Sequence, residues 1–261
     1  MRQFSVSYLQ ETRRGMWQDD RSALAVLELD SRDRVLDVGC GEGGLSRILA
    51  EETAGTVIGV DRDRRLVHEL EISGIQGDGR RLPVADDAVS LVVCQALLIN
   101  LKPAAQEAVL DEFKRVANDH VACVEPDNGN VEVDSTVSSE SELATRARSR
   151  YLRGNVTDVA LGADVGTLLE QNGLTDVTVR EYQFERTIEP PYDETAVLAA
   201  TKKASGEGLR ARRNTMDGSP EELDDLRTAW RKMGRKTIEQ MQAGEYRRRE
   251  VVPFYVAIGS V

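Results

Sequence analysis

An open, mostly parallel α/β sheet is the fold this sequence encodes, and three features point to it. Strand-like and helix-like segments alternate through about residue 125, the order produced when each parallel strand is reached through a helical crossover. Ala88 to Cys94 carries Val89, Leu91, Val92 and Val93, the nearly unbroken apolar run of a strand buried on both faces. Between the first strand and the first helix lies Gly39-Cys40-Gly41-Glu42-Gly43-Gly44. Its glycines supply positive φ values and a close backbone approach that other residues resist.

Taken in order, Phe4 to Leu29 reads as helical, with Tyr8, Leu9, Trp17, Leu24, Val26 and Leu27 as apolar contributors. Ser31-Arg32-Asp33 turns the chain into a strand over Arg34 to Val38. Leu45 to Glu52 is helical, with Leu45, Ile48 and Leu49 at i, i+3, i+4 spacing. Thr56 to Val60 is a β-branched strand closed by Asp61, and Leu66 to Ile72 suits a helix. Ile75-Gln76-Gly77-Asp78-Gly79 is a third strand and turn. After the apolar fourth strand, Ala104 to Val116 is a helix with Val109, Leu110 and Phe113 on one face, and His120 to Glu125 is a fifth strand ended by Pro126.

The remaining chain is more polar. Ser135 to Ser149 reads as a helix and a candidate lid, and Asp164 to Asn172 as a helix stopped by Gly173. Val177 to Ile188 alternates as a strand, Pro190-Pro191 breaks it, and Glu194 to Gly244 is charged and mostly helical. Val251 to Val261 is the terminal strand. The expected organisation is one domain over 1–261. It comprises cap helices over 1–30, a ligand-binding core over 31–134, a lid and helix over 135–176, and the last two strands over 177–261 with a helical insertion near 190–250.

Composition narrows the function. A formal charge of −11 argues against a nucleic-acid-binding protein, which carries a basic footprint. Lysine is scarce: Lys102, Lys114, Lys202, Lys203, Lys232 and Lys236 supply all of it among 34 basic residues. An acidic, lysine-poor surface suits a high-salt source, where screening relieves self-repulsion. No apolar run reaches the length of a membrane span, and Met1 to Gln10 lacks a signal pattern; a soluble cytoplasmic protein is expected. Cys40, Cys94 and Cys123 are too few and too scattered for a disulfide framework or a cysteine-rich metal site, and no metal is expected. His68 and His120 read as surface or packing residues. Arg210-Ala211-Arg212-Arg213 and Arg247-Arg248-Arg249 are interspersed with Glu207, Glu245 and Glu250 and read as solvated helical faces.

The glycine turn, with the positive end of a helix behind it, suits an adenosine-type cofactor with a charged tail. Gly39-x-Gly41-x-x-Gly44 fits the dinucleotide pattern, and Asp61 stands where that pattern places its ribose acid. Three features favour S-adenosylmethionine over NAD. Asp37 precedes the first glycine by two residues, Gly77-Asp78-Gly79 puts a carboxylate after the third strand, and the chain closes with a strand, a helical insertion and a strand. In VLDVGCGEGG (35–44), VIGVD (57–61), GDGRRLPVADDAVSLVVC (77–94) and VACVEP (121–126), the chain resembles the class I S-adenosylmethionine-dependent methyltransferases, chiefly their small-molecule branch.

That resemblance implies a Rossmann-like, seven-stranded, mostly parallel sheet with an antiparallel terminal strand. It implies that Asp37, Gly39, Cys40 and Gly41 contact the methionine part of S-adenosyl-L-methionine, and that Asp61 accepts both ribose hydroxyls. Arg62 would lie beside the adenosine, Asp78 would accept a bond from the adenine amino group, and Gly79 would add a backbone contact. Gln95, with Ala96 and Leu97 after it, would lie toward the methyl-transfer side. Arg14, with Tyr8 and Trp17, is a candidate cap meeting the cofactor carboxylate, and Glu125 is the weak candidate for a catalytic acid or base. The expected partner is a small-molecule methyl acceptor whose identity the sequence does not carry. A non-catalytic cofactor-binding sensor or scaffold and an NAD-dependent oxidoreductase are the alternatives.

Overall fold

The structure, a computed structural model, describes residues 16–18 and 20–261. The expectations for Tyr8 and Arg14, and most of the first expected helix, lie outside the described residues. The elements follow in chain order: β1 (Arg34–Val38), α1 (Gly44–Glu52), β2 (Thr56–Asp61), α2 (Arg64–His68), β3 (Ser73–Gln76) and β4 (Val89–Gln95). Next come α3 (Pro103–Val116), β5 (Ala117–Pro126), β6 (Glu132–Ser135), α4 (Glu140–Gly154), α5 (Asp164–Gln171) and β7 (Thr175–Ile188). The chain ends in α6 (Glu194–Ser205), α7 (Glu207–Arg212), α8 (Pro220–Gln242) and β8 (Arg248–Ser260). No described helix is long and apolar enough to cross a membrane.

The chain forms two compact units. The first comprises the described residues up to Pro126, Leu161–Tyr182 and Phe254–Val261; the second comprises Asp127–Ala160 and Gln183–Pro253. In the first unit the strands run in the order β3-β2-β1-β4-β5-β8, with β7 also paired to β8. The pairs β3-β2, β2-β1, β1-β4 and β4-β5 are parallel, and β5-β8 is antiparallel, with Val124 opposite Val256. Its core joins Leu36, Val38, Val60, Val92, Cys94 and Val121 of the sheet to Leu110 and Phe113 of α3 and Val165 and Leu169 of α5. Cys94 and Cys123 are buried opposite one another on β4 and β5, as small apolar side chains are.

The second unit holds β6, α4, α6, α7, α8 and the remaining parts of β7 and β8. Its core is built from Val137, Leu143, Leu226, Met233 and Tyr246. Helix α8 opens with a reciprocal capping box between Ser219 and Glu222. It passes α6 so closely at Gly234 that an added Cβ would lie 2.3 Å from the backbone nitrogen of Ala204.

Four expectations are corrected. The sheet has eight strands, not seven: Glu-Val-Asp-Ser of β6 carries no apolar alternation, but it pairs antiparallel with the charged start of β8 and sets Asp134 opposite Arg249. Because of that pairing, Arg248 is a largely buried strand residue and not part of a solvated helix. Among the described residues, Ser22–Leu27 is a 3₁₀ helix that ends at Glu28, whose φ of 50° is left-handed. Helix α2 starts earlier than expected because Asp63 caps it, accepting a hydrogen bond from the Arg65 amide at 3.0 Å, and it stops at His68.

Candidate active site

The site is built entirely within the first unit, at the ends of β1, β2 and β4. After β1 the chain turns through Gly39, Gly41 and Gly43, with φ of 73°, 60° and 82°, values that carry a steric cost for any residue with a Cβ. The amides of Gly39 and Cys40 both donate to the Val60 carbonyl, at 2.7 and 3.1 Å, tying the turn to β2. Beneath it, Asp37 is buried, and the Ser46 hydroxyl of α1 donates to its Oδ2 at 2.5 Å. Asp37 thereby braces the turn from inside. The Cys40 side chain is also buried: a Cβ on Gly59 would lie 3.0 Å from its Sγ. Burial, then the negative charges of Asp37 and Asp61, push the Cys40 thiol far above its ordinary range, so it stays protonated.

Above the turn is a cleft of about 880 Å³, within the range of small-molecule sites. Gly39, Gly41, Asp61, Arg62, Asp78 and Gly79 line one side; Gln95, Leu97, Asn100 and Val109 contribute elsewhere. Asp37 and Cys40 lie outside that lining. Asp61, at the end of β2, accepts the Gly41 amide on Oδ2 at 3.1 Å and the Asp63 amide on Oδ1 at 2.8 Å. A carboxylate offers about four acceptor positions, so each oxygen keeps capacity for one further donor. Asp78 accepts Arg80 in a two-point contact, Nε to Oδ1 at 3.0 Å and Nη2 to Oδ2 at 2.6 Å. Arg80 thereby holds the Asp78 carboxyl down at about 2. A side chain on Gly79 would begin 3.3 Å from Val38 Cγ1, so the backbone itself faces the cleft there.

The opposite edge is a turn that follows β4. Ala96 takes φ of 49°, Leu98–Asn100 forms a 3₁₀ turn, and a Cβ on Gly39 would sit 3.1 Å from Leu97 Cδ1. Leu97 therefore packs directly over the glycine. Glu125, fully buried at the end of β5, accepts the amides of Leu97 and Leu98 on Oε1 at 3.0 and 2.8 Å and that of Ile99 on Oε2 at 3.4 Å. Its carboxylate is turned to this backbone and is absent from the cleft lining, so it acts as the anchor of the turn. Gln95 is buried at the cleft edge and donates through Nε2 to the Met16 sulfur at 2.9 Å.

Residues 35–120 match the family model described as a methyltransferase domain. Its fold is the Rossmann-like methyltransferase fold. Among solved structures, it is similar to a protein assigned as a type II methyltransferase from Anaeromyxobacter dehalogenans. The two share 16% identity over 89% of this chain and 92% of that one, with a TM-score of 0.57. It is also similar to a protein assigned as a methyltransferase from Bacillus halodurans C-125, at 15% identity over 91% and 98% of the two chains and a TM-score of 0.51. At these identities the likeness is one of fold. No curated protein matches the chain in sequence.

The sequence does not single out Arg80, Asn100, Leu101 or Val109 as parts of this cleft. Arg80 was detectable in principle, because it stands two residues after Asp78 and can fork back onto it. Val109 carries only the signal of a core-facing helix residue, and no sequence signal separates it from its neighbours.

Proposed function

We propose that the protein is an S-adenosylmethionine-dependent methyltransferase acting on a small-molecule acceptor. The observation that carries this is Asp61: Oδ2 braces the glycine turn through Gly41 and Oδ1 holds the Asp63 amide, yet each retains one acceptor position at the cleft. Two vicinal hydroxyls of a ribose are the donors that such a carboxylate suits. Gly39, Gly41 and Gly79 line the cleft without side chains, which suits a ligand that must lie close against the main chain.

In this reading Asp61 holds the ribose, and Gly39 and Gly41 lie beneath the methionine part. Asp78, already paired with Arg80, accepts the adenine amino group on a remaining oxygen position. When bound, S-adenosylmethionine supplies a methyl group already activated on a sulfonium, so the protein's task is alignment and exclusion of water. Leu97, seated on Gly39 and held through Glu125, covers the turn with an apolar side chain. Gln95 supplies a fixed polar group on the same edge. The net charge of −11 disfavours a polyanionic acceptor, which supports a small molecule.

Titration calorimetry with S-adenosylmethionine, S-adenosylhomocysteine and NAD tests the cofactor. Binding of the first two and not the third is expected; NAD binding with neither of the others overturns the reading. A methyl-release assay over a metabolite panel separates an enzyme from a sensor that binds without turnover.

A further inference from the structure

The second unit contains a pocket of about 270 Å³ between α7 and the start of α8. Leu209, Met216, Leu223 and Leu226 give it an apolar floor, three of them nearly inaccessible to solvent. Arg210, Arg213 and Arg227 stand around it with one acid, Asp224. The local formal charge is therefore positive in a chain that carries −11 overall.

The arginines of the 210–213 run have separate roles. Arg212 leaves the pocket and stacks over the Tyr151 ring at 5.4 Å. Arg213 is locked in a two-point pair with Asp224 and donates to the Pro220 carbonyl at 2.9 Å. Among the described residues, the guanidinium groups of Arg210 and Arg227 make no hydrogen bond and no ion pair. Both therefore keep their donors for a ligand, whereas Arg213 beside them is paired with a carboxylate.

We propose that this pocket binds a small amphipathic carboxylate, its apolar body against the leucine and methionine floor and its carboxylate between Arg210 and Arg227. Guanidinium forks match a carboxylate in geometry as well as in charge. The volume lies just under the roughly 300 Å³ at which drug-sized sites begin, so a ligand on the scale of benzoate or hexanoate fits. Arg213, its fork already engaged by Asp224, contributes a positive wall. The apolar floor separates this class of ligand from a bare inorganic anion, which gains nothing from those side chains.

Ligand-detected NMR and titration calorimetry on the full chain test this, with benzoate and hexanoate as probes, benzyl alcohol and hexanol as neutral counterparts, and inorganic phosphate as the bare anion. Saturable binding of the two carboxylates is expected, at least about tenfold tighter than the alcohols or phosphate. The double variant Arg210→Gln/Arg227→Gln should lose at least about tenfold in carboxylate affinity while keeping its circular dichroism and melting temperature. Arg210 is exposed and Arg227 half-buried, and neither forms an ion pair among the described residues, so the fold is expected to survive. Phosphate binding as tightly as benzoate, absence of saturable carboxylate binding, or an unchanged affinity in the folded double variant would each overturn the proposal. The readout is binding alone, so it stands or falls independently of methyl transfer.

Discussion

Replacing Asp61 tests the proposed cofactor site most directly. Its two oxygens accept the Gly41 and Asp63 amides, and the proposed ribose contacts use what capacity is left. Asp61→Ala removes the acceptors for both hydroxyls. A hydrogen bond to a charged group is worth about 1.5–3 kcal/mol net. Since the bare site is solvated in the absence of ligand, one such increment is the conservative expectation, equivalent to about 10- to 150-fold in Kd. Asp61→Asn should also weaken binding, because its amide nitrogen would face either the Gly41 or the Asp63 N–H, donor against donor. Calorimetric Kd values for S-adenosylmethionine and S-adenosylhomocysteine, with melting temperatures for each variant, provide the assay. If Asp61→Ala binds within about threefold of the wild type while its melting temperature is unchanged, the ribose assignment and the magnitude argument fail together.

Other outcomes follow from the same geometry. Gly39→Ala forces a Cβ into a left-handed backbone and against Leu97; a loss of about 1–2 kcal/mol, seen as a melting temperature lowered by a few degrees, is expected. In the second unit, the buried carboxylate of Glu140 meets Lys203, Arg248 Nε at 3.2 Å, the Ser135 hydroxyl at 2.7 Å and the Tyr246 hydroxyl at 2.9 Å. Glu140→Gln strands the enclosed Lys203, while Arg248 keeps Glu250, and should cost about 3 kcal/mol, read by thermal denaturation. Burial raises the Glu140 carboxyl, but Lys203, Ser135 and Arg248 outweigh it and leave it below its ordinary value of 4.5. Its stabilisation is therefore present above pH 4.5 and fades as pH falls through the lower folded value. The melting temperatures of wild type and Glu140→Gln should converge in acid, and a constant offset would contradict this. Asp78, held at about 2 by Arg80, likewise favours the folded state above its ordinary 3.8 and loses that contribution toward pH 2. Arg80→Ala should flatten this acid limb, followed by unfolding midpoints between those pH values.

The apolar runs Leu91–Cys94 of β4 and Val121–Val124 of β5, buried on both faces, made the parallel sheet legible in the sequence. The glycine turn and the acids after β2 and β3 were equally legible, since turn chemistry depends on neighbours a few residues away. Strand β6 was not, because Glu-Val-Asp-Ser acquires its conformation from pairing with Arg248–Val251, over a hundred residues later in the chain. Glu125 could be read as an acid at a strand end. Only the folded chain, by turning its oxygens onto three amides of the Leu97–Ile99 turn, gives it an anchoring place. The three arginines between 210 and 213 show the same limit: a charge run predicts solvation, while stacking, pairing and an open pocket divide them. Local sequence fixes what a segment prefers; the partner that each polar group finds depends on distant segments brought within hydrogen-bonding reach, and that is set only when the tertiary fold closes.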